Sequence, residues 1–242
     1  MYCLYDREEI GYTQEDWLRY FEEHDENRLQ PDFSKEPDLT EEQALMIFPS
    51  IQAFQMGERS DGVHLMKEVR RYADRSGDRT YLECMKWFIR EENWHSVYLK
   101  KYLDCYQVPD MEISVLDQCF RELRRFGGLK GEIMVLAAAE IVALSYYRAL
   151  ASCVESPALK QICRQMLVDE LPHIIFQGQT LGRLGFGRCE ELIAVGLMES
   201  VIAATWIPFR KVFLTGGYDL ESYAKECLGY LKQMMNIAQA KS

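Results

Sequence analysis

The sequence predicts an all-helical fold, and three of its features lead to that prediction. Only 7 prolines occur among 242 residues. No stretch alternates apolar and polar residues on both sides of a hairpin turn, as β-hairpins do. Turn-forming residues are separated instead by long segments with the length of helices. Hydrophobic residues make up 48% of the chain, enough for a domain with a sizeable core.

The first half of the chain predicts a short helix followed by a hairpin of two long helices. The short helix lies near 14–23, in an otherwise irregular N-terminal arm. Thr40 is a candidate N-cap of the first long helix, which we expect to continue to about Ala73. The segment 75–78 (Arg-Ser-Gly-Asp) predicts a turn, because glycine permits the chain reversal and aspartate can cap the next helix. That second helix is predicted over 79–106.

The second half predicts another hairpin and two additional helices. A connection with a short helix near 114–126 leads to a third long helix over 129–154. Ser156 and Pro157 fit the cap and the first position of a fourth helix, which ends near Leu184. The two additional helices are predicted near 189–214 and 220–240.

Two hairpins joined by one long connection predict a four-helix bundle with one long crossover. We expect a single domain, 1–242, with an arm at 1–38, the bundle at 39–185 and a C-terminal helical extension at 189–240. No segment with the composition of a linker separates these parts.

Charge and composition disfavour several classes of protein. The net charge of −10 disfavours non-specific nucleic-acid binding, because an acidic surface repels phosphates. The sequence has no run of about 18 apolar residues, so it predicts no membrane span. The N-terminal residues lack the layout of a signal peptide. The 8 cysteines form no C-x-x-C pair, which disfavours a zinc ribbon or a rubredoxin-type iron site. They predict reduced thiols and a cytoplasmic protein.

Two Glu-x-x-His motifs carry the chemistry that the sequence predicts. Glu92 and His95 lie in the second long helix, and Glu170 and His173 lie in the fourth. A spacing of three residues places both side chains of a motif on one helical face, one turn apart, where they can share a metal ion.

The other two long helices each supply one glutamate at a matching depth. These residues are Glu58 and Glu140, and the latter stands in an apolar stretch where a lone charge would be costly. Positions 58 and 92 are centred on the first turn, and 140 and 170 on the second, so all four lie about 22–26 Å from their turns. Packing the two hairpins together would gather four carboxylates and two imidazoles, the ligand set of a di-iron or di-manganese centre.

A single motif of this kind is weak evidence, because Glu-x-x-His arises often by chance in an acidic chain. Asp61 and His64 form a similar pair, which we interpret as a surface or supporting feature. Two motifs on alternate helices, each level with a glutamate across its own turn, are far more specific.

Neighbouring residues suggest supporting roles. Asp169 and Glu91 each precede a ligand glutamate, and a metal-bound histidine usually donates its second N–H to a carboxylate. We expect Asp169 to orient His95 and Glu91 to orient His173, as the catalytic side chains behind the ligands. For Glu91, a solvated charge on the helix surface is the alternative. Pro172 interrupts the second motif and predicts a bend or π-bulge, with a tolerated bend as the alternative.

The residues around both motifs resemble those of a known family. Segment 91–103 is similar to the E-E-N-x-H-x-x-x-L-x-K-Y-L segment of the soluble acyl-carrier-protein desaturases, within the ferritin-like di-iron carboxylate superfamily. Residues 159–163, with Asp169, Glu170 and His173 after them, resemble the second motif helix of that family.

This resemblance implies a ferritin-like bundle with two iron ions, activation of O₂, an external electron donor and a homodimer. It carries over Asp169 as the supporting carboxylate and six metal ligands: Glu58, Glu92, His95, Glu140, Glu170 and His173. Manganese is the alternative metal. The substrate is predicted to be a small molecule or an acyl chain. In the second case an acyl carrier protein is the expected partner. Basic clusters at 70–79 and 121–130 are candidate docking sites for that acidic carrier, and solvated helix ends are the alternative.

The chain also departs from that family. Ala143 replaces a threonine one turn after the third-helix glutamate, and Leu171 and Pro172 replace two basic residues. Leu99 stands where a ribonucleotide reductase subunit would carry its radical tyrosine. The leading hypothesis is therefore an oxidoreductase that desaturates or hydroxylates an organic substrate. The alternatives are a ferroxidase or peroxide scavenger without an organic substrate, and a metal-free helical interaction protein.

Overall fold

A computed structural model describes residues 1–59, 62–112 and 127–240 of the chain. No strand occurs in these ranges, so the predicted all-α class is confirmed. Two short 3-10 helices, Leu4–Asp6 and Glu8–Gly11, come first. The α-helices that follow are α1 (Gln14–Glu26), α2 (Glu41–Glu58), α3 (Val63–Ser76), α4 (Arg79–Cys105), α5 (Gly128–Leu150), α6 (Pro157–Arg183), α7 (Arg188–Thr215) and α8 (Leu220–Ala240).

The prediction of one helix from Thr40 to Ala73 is wrong, because α2 ends at Glu58 and α3 begins at Val63. The residue before α3 is Gly62, which has a φ of 61° in the left-handed region. Residues with a side chain rarely adopt this conformation, so glycine stops the helix here. The break places Glu58 in the last turn of α2. The short helix predicted near 114–126 lies outside the described residues.

The other predicted turns are confirmed by their capping interactions. Gly77 has a φ of 79° and ends α3, and the Asp78 carboxylate then accepts a hydrogen bond from the backbone N–H of Tyr81 to start α4. Ser156 caps α6 by accepting from the backbone N–H of Leu159, with Pro157 at the first helical position. These caps satisfy N–H groups that a helix end would otherwise leave without a partner.

The chain forms two compact units, which do not coincide with the predicted arm, bundle and extension. Unit 1 consists of Met1–Ile10, Pro31–Ile51 and Ile133–Ser242, and unit 2 consists of Gly11–Gln30 and Gln52–Glu132. The boundaries fall inside α2 and α5, so each of these helices contributes residues to both units. The four-helix bundle with its crossover, and the organisation as a single domain, stay predictions.

Unit 2 is built around α4, against which α1 and α3 pack. Aromatic side chains form the contact between α1 and α4. Phe21 stacks on Trp17, with 5.8 Å between ring centroids, and meets Phe88 edge-on at 6.1 Å. All three rings are buried, so this core fixes α4 and the motif that it carries.

Unit 1 is built around α8, which packs against α6 and α7. Phe213 of α7 and Tyr223 of α8 are buried with 4.3 Å between their ring centroids. The Tyr223 hydroxyl forms a 2.6 Å hydrogen bond with the hydroxyl of Thr205. This packing leaves α6 almost entirely buried over its second half, where the second motif lies.

Two helices are long and apolar enough to cross a membrane, by length and composition alone. In α5, 89% of the most apolar window is buried inside the protein, as expected for a core helix. In α7 the corresponding share is 33%, so much of the apolar surface of this helix is not buried inside the protein. The sequence criterion of an uninterrupted apolar run detects neither helix.

Candidate metal centre

Unit 2 brings together three of the predicted ligands, Glu58, Glu92 and His95, which we name triad A. Each offers a ligand atom, and these atoms all lie within 4.8 Å of one another. His95 Nδ1 lies 3.6 Å from Glu92 Oε1 and 3.9 Å from Glu58 Oε2. The imidazole is completely buried and both carboxylates are buried. The structure therefore brings these three predicted side chains together.

A pair of reciprocal hydrogen bonds holds the end of α2 against α4 beside triad A. The Ser96 hydroxyl donates to the Gln55 backbone carbonyl at 3.0 Å and accepts from Gln55 Nε2 at 2.9 Å. Gln55 precedes Glu58 by three residues, and Ser96 follows His95 directly. The two bonds therefore set the position of Glu58 relative to the imidazole, even though α2 ends there.

Unit 1 brings together the other three predicted ligands, Glu140, Glu170 and His173, which we name triad B. Their ligand atoms lie within 4.8 Å of one another, with His173 Nδ1 at 3.4 Å from Glu170 Oε2. Glu140 comes from α5, while Glu170 and His173 lie one turn apart on α6. All three side chains are buried. Triad B has the same composition as triad A, and the ring nitrogen near the carboxylate is again Nδ1.

Pro172 does not break the helix that carries triad B. α6 is α-helical from Pro157 to Arg183, without a π-turn, so the predicted π-bulge is wrong. The tolerated proline keeps Glu170 and His173 on one face at helical spacing. In α7, by contrast, Pro208 is followed by non-helical backbone at Phe209 (φ −112°, ψ 15°).

The donor set of each triad fits a transition-metal ion. Two buried carboxylates repel each other, and a medium of low dielectric constant makes the burial of a charge costly unless a cation compensates it. One imidazole and two carboxylates are ligands that suit iron, manganese and zinc. A divalent cation would neutralise the two negative charges of a triad while its histidine stayed neutral. This helical protein thus contains buried acidic and histidine side chains that could bind a metal ion.

The two supporting carboxylates are buried, and each has a partner within its own unit. Asp169 accepts a 2.8 Å hydrogen bond from Gln165 Nε2, one turn earlier on α6. Glu91 Oε1 lies 3.0 Å from Nδ1 of His24 on α1. The roles predicted for Asp169 and Glu91, in orienting His95 and His173, stay predictions.

Sequence reasoning missed His24 and Gln177, and for different reasons. His24 precedes Glu91 by 67 positions, and no motif links the two. Gln177 follows His173 by four residues, and its Nε2 lies 3.4 Å from Glu140 Oε1. A search for polar residues one turn beyond each motif histidine would have found Gln177, since such residues share the ligand face.

The third Glu/Asp-x-x-His pair contributes to neither triad. His64 has a half-exposed side chain, and its Nδ1 contacts Oε1 of the buried Glu132. The interpretation of Asp61 and His64 as a surface or supporting pair stays a prediction. Asp61 lies outside the described residues.

Comparisons with known proteins found no matching family model, curated protein or solved structure.

Proposed function

We propose that this protein is a non-haem di-iron oxidoreductase that uses O₂ to oxidise an organic substrate. The observation that carries the proposal is the pair of triads, A and B, with two buried carboxylates and one buried imidazole each. One metal ion per triad gives two ions per chain. The equal composition of the triads supports two ions of the same element.

The choice of iron and O₂ is supported by the resemblance of segment 91–103 and of the second motif helix to the acyl-carrier-protein desaturases. Manganese accepts the same ligands and is the alternative metal. Bound iron would supply the redox chemistry with O₂, which carboxylates and imidazoles cannot perform alone. The protein side chains would hold the ions, fix the orientation of the imidazoles and keep bulk water away from the centre.

The substrate and partners follow from the same resemblance. We propose a small organic or acyl substrate, delivered by an acyl carrier protein, with an external electron donor and a homodimeric enzyme. A basic dock for an acidic carrier is available at the end of α3, although Arg71 is paired with Glu68 at 2.6 Å and Arg79 with Asp74 at 2.9 Å. Both arginines are exposed, so these ion pairs are weak and can exchange for a partner carboxylate.

The proposal is tested by loading metal-free protein with Fe²⁺ under anaerobic conditions, removing unbound iron and adding a pulse of O₂. We expect two bound irons per chain, O₂ consumption and a change in optical absorption. Glu170→Gln should reduce iron content and O₂ consumption, because it removes a charged ligand from triad B. Glu132→Gln is the matched control, since Glu132 is also buried beside a histidine but lies outside both triads.

Several results would contradict the proposal. O₂ consumption that needs only Fe²⁺, and that no fatty-acyl substrate with an electron donor accelerates, would indicate a ferroxidase or peroxide scavenger. Protein that binds neither iron nor manganese would indicate a helical interaction protein. Equal iron content in the Glu170→Gln and Glu132→Gln variants would show that triad B is not a metal site.

A further inference from the structure

Gln177 places a buried amide directly beside triad B. It lies on α6 four residues after His173, on the face that carries the ligands, and its side chain has no solvent exposure. Its Nε2 donates a 3.4 Å hydrogen bond to Glu140 Oε1. Its Oε1 is buried and makes no hydrogen bond within the part of the chain that the structure describes.

The chemistry of the neighbouring carboxylate fixes the direction of this amide. An ionised carboxylate only accepts hydrogen bonds, so the NH₂ group of Gln177 must face Glu140 and the carbonyl oxygen must point elsewhere. A buried carbonyl without a hydrogen-bond donor destabilises the folded protein. A leucine or methionine would fill the same volume without that cost. The amide therefore fits a centre in which a hydrogen-bond donor reaches its oxygen.

We propose that Gln177 is a positioning residue of the metal centre and that both ends of its side-chain amide take part. The N–H group holds Oε1 of Glu140 and so fixes the orientation of the carboxylate toward a metal ion. The carbonyl oxygen accepts a hydrogen bond from a water molecule bound in the centre. This inference rests on the proposed function, because it assigns a role to Gln177 only if triad B binds metal.

A second buried glutamine on the same helix shows what a purely structural role looks like. Gln179 has no solvent exposure, and its Nε2 donates to the backbone carbonyls of Glu9 at 3.0 Å and Ile10 at 3.1 Å. These bonds fasten the N-terminal 3-10 helix to α6 within unit 1. The two glutamines lie two positions apart, so they point to different sides of α6 and provide a matched pair.

The test compares Gln177→Leu and Gln177→Met with Gln179→Met in the full-length protein. Metal-free protein is titrated with Co²⁺, whose visible absorption reports ligand geometry, and urea unfolding is followed without metal. For both Gln177 variants we expect a 10- to 100-fold loss of Co²⁺ affinity at triad B, the usual effect of removing an outer hydrogen bond. We also expect a changed Co²⁺ spectrum and a loss of metal-free stability smaller than that of Gln179→Met, because removing the unsatisfied carbonyl offsets part of the lost bond to Glu140. Gln179→Met should lose stability and keep the affinity and the spectrum.

The outcomes separate this inference from the proposed function. Wild-type protein that binds no Co²⁺, Fe²⁺ or Mn²⁺ would overturn the proposed function and the role of Gln177 with it. Wild-type protein that binds Co²⁺, with unchanged affinity and spectrum in both Gln177 variants, would overturn only the positioning role. Failure of both Gln177 variants to fold, or a metal-free stability loss as large as that of Gln179→Met, would also overturn it by showing a structural role.

Discussion

Charge burial sets the energetics of single residues in this protein. Each triad buries two carboxylates beside one imidazole, and Glu91 and Asp169 add two more buried carboxylates next to them in the sequence. Hydrogen bonds from Gln177, Gln165 and His24 compensate part of this charge, one carboxylate at a time. Proteins keep such clusters where a cation or a chemical task requires them.

The contact between His24 and Glu91 gives a prediction at this scale. His24→Leu should lower the free energy of unfolding by about 1–3 kcal/mol, because it leaves the buried Glu91 carboxylate without the bond from Nδ1. His24→Gln should lose less, since its amide N–H can still donate. Urea unfolding of both variants checks this. Equal losses would mean that packing of the ring, which lies 4.0 Å from that of Tyr20, provides the stabilisation instead.

At the scale of helices, much of the fold could be predicted from the sequence because its start and stop signals are local. Asp78 and Ser156 act as caps in the structure as predicted, and the end of α4 agrees within one residue. The break between α2 and α3 could not be predicted from apolar spacing, since it depends on the left-handed backbone at Gly62. The two Glu-x-x-His pairs could be predicted because helical spacing alone sets each pair. His24 could not, because its contact with Glu91 depends on how α1 packs against α4.

Two glycines near the end of α2 give a matched prediction. Gly62→Ala should destabilise the protein by about 1–2 kcal/mol, because alanine is strained at a φ of 61° and its Cβ would lie 2.8 Å from Ile89 Cδ1. Gly57→Ala should stabilise it by about 0.5–1 kcal/mol, because Gly57 lies within α2 and no atom of the described residues lies within 4 Å of the position that its Cβ would take. Thermal unfolding of the metal-free variants measures both effects. A loss at Gly57 as large as that at Gly62 would contradict this explanation of the helix break.

At the scale of the whole molecule, each compact unit carries one triad of identical composition. The two predicted hairpins each supply one Glu-x-x-His motif and one further glutamate, which accounts for the equal composition. Unit 1 contains the terminal helices α7 and α8, together with several buried thiols and phenols. Burial raises the pKa of Cys153 to about 11 and that of Cys227 to about 12, and it also raises the pKa of Tyr223.

These thiols predict a loss of stability at alkaline pH. Above a pH of about 8.5 the unfolded thiols release their protons while the folded ones keep them, so the unfolded state binds fewer protons and stability falls as pH rises. The loss should begin near pH 9 and continue to pH 11, at about 1.4 kcal/mol per pH unit for each thiol. Urea unfolding from pH 7 to pH 10 measures it.

Alanine variants identify the groups responsible for this pH dependence. Cys153→Ala combined with Cys227→Ala should reduce the slope of the profile without abolishing it, because burial also raises the pKa of Cys163. Cys105→Ala should leave the slope unchanged, since Cys105 is exposed. An identical slope in all of these proteins would show that the two buried thiols do not govern alkaline stability.

The most direct measurement is the number of iron ions that each chain retains after anaerobic loading with Fe²⁺ and gel filtration. We predict two ions for the wild type, and one each for a triad A variant, His95→Ala, and a triad B variant, His173→Ala. The variant with both changes should retain none. Wild-type protein without bound metal, or an undiminished count in the double variant, would contradict the account.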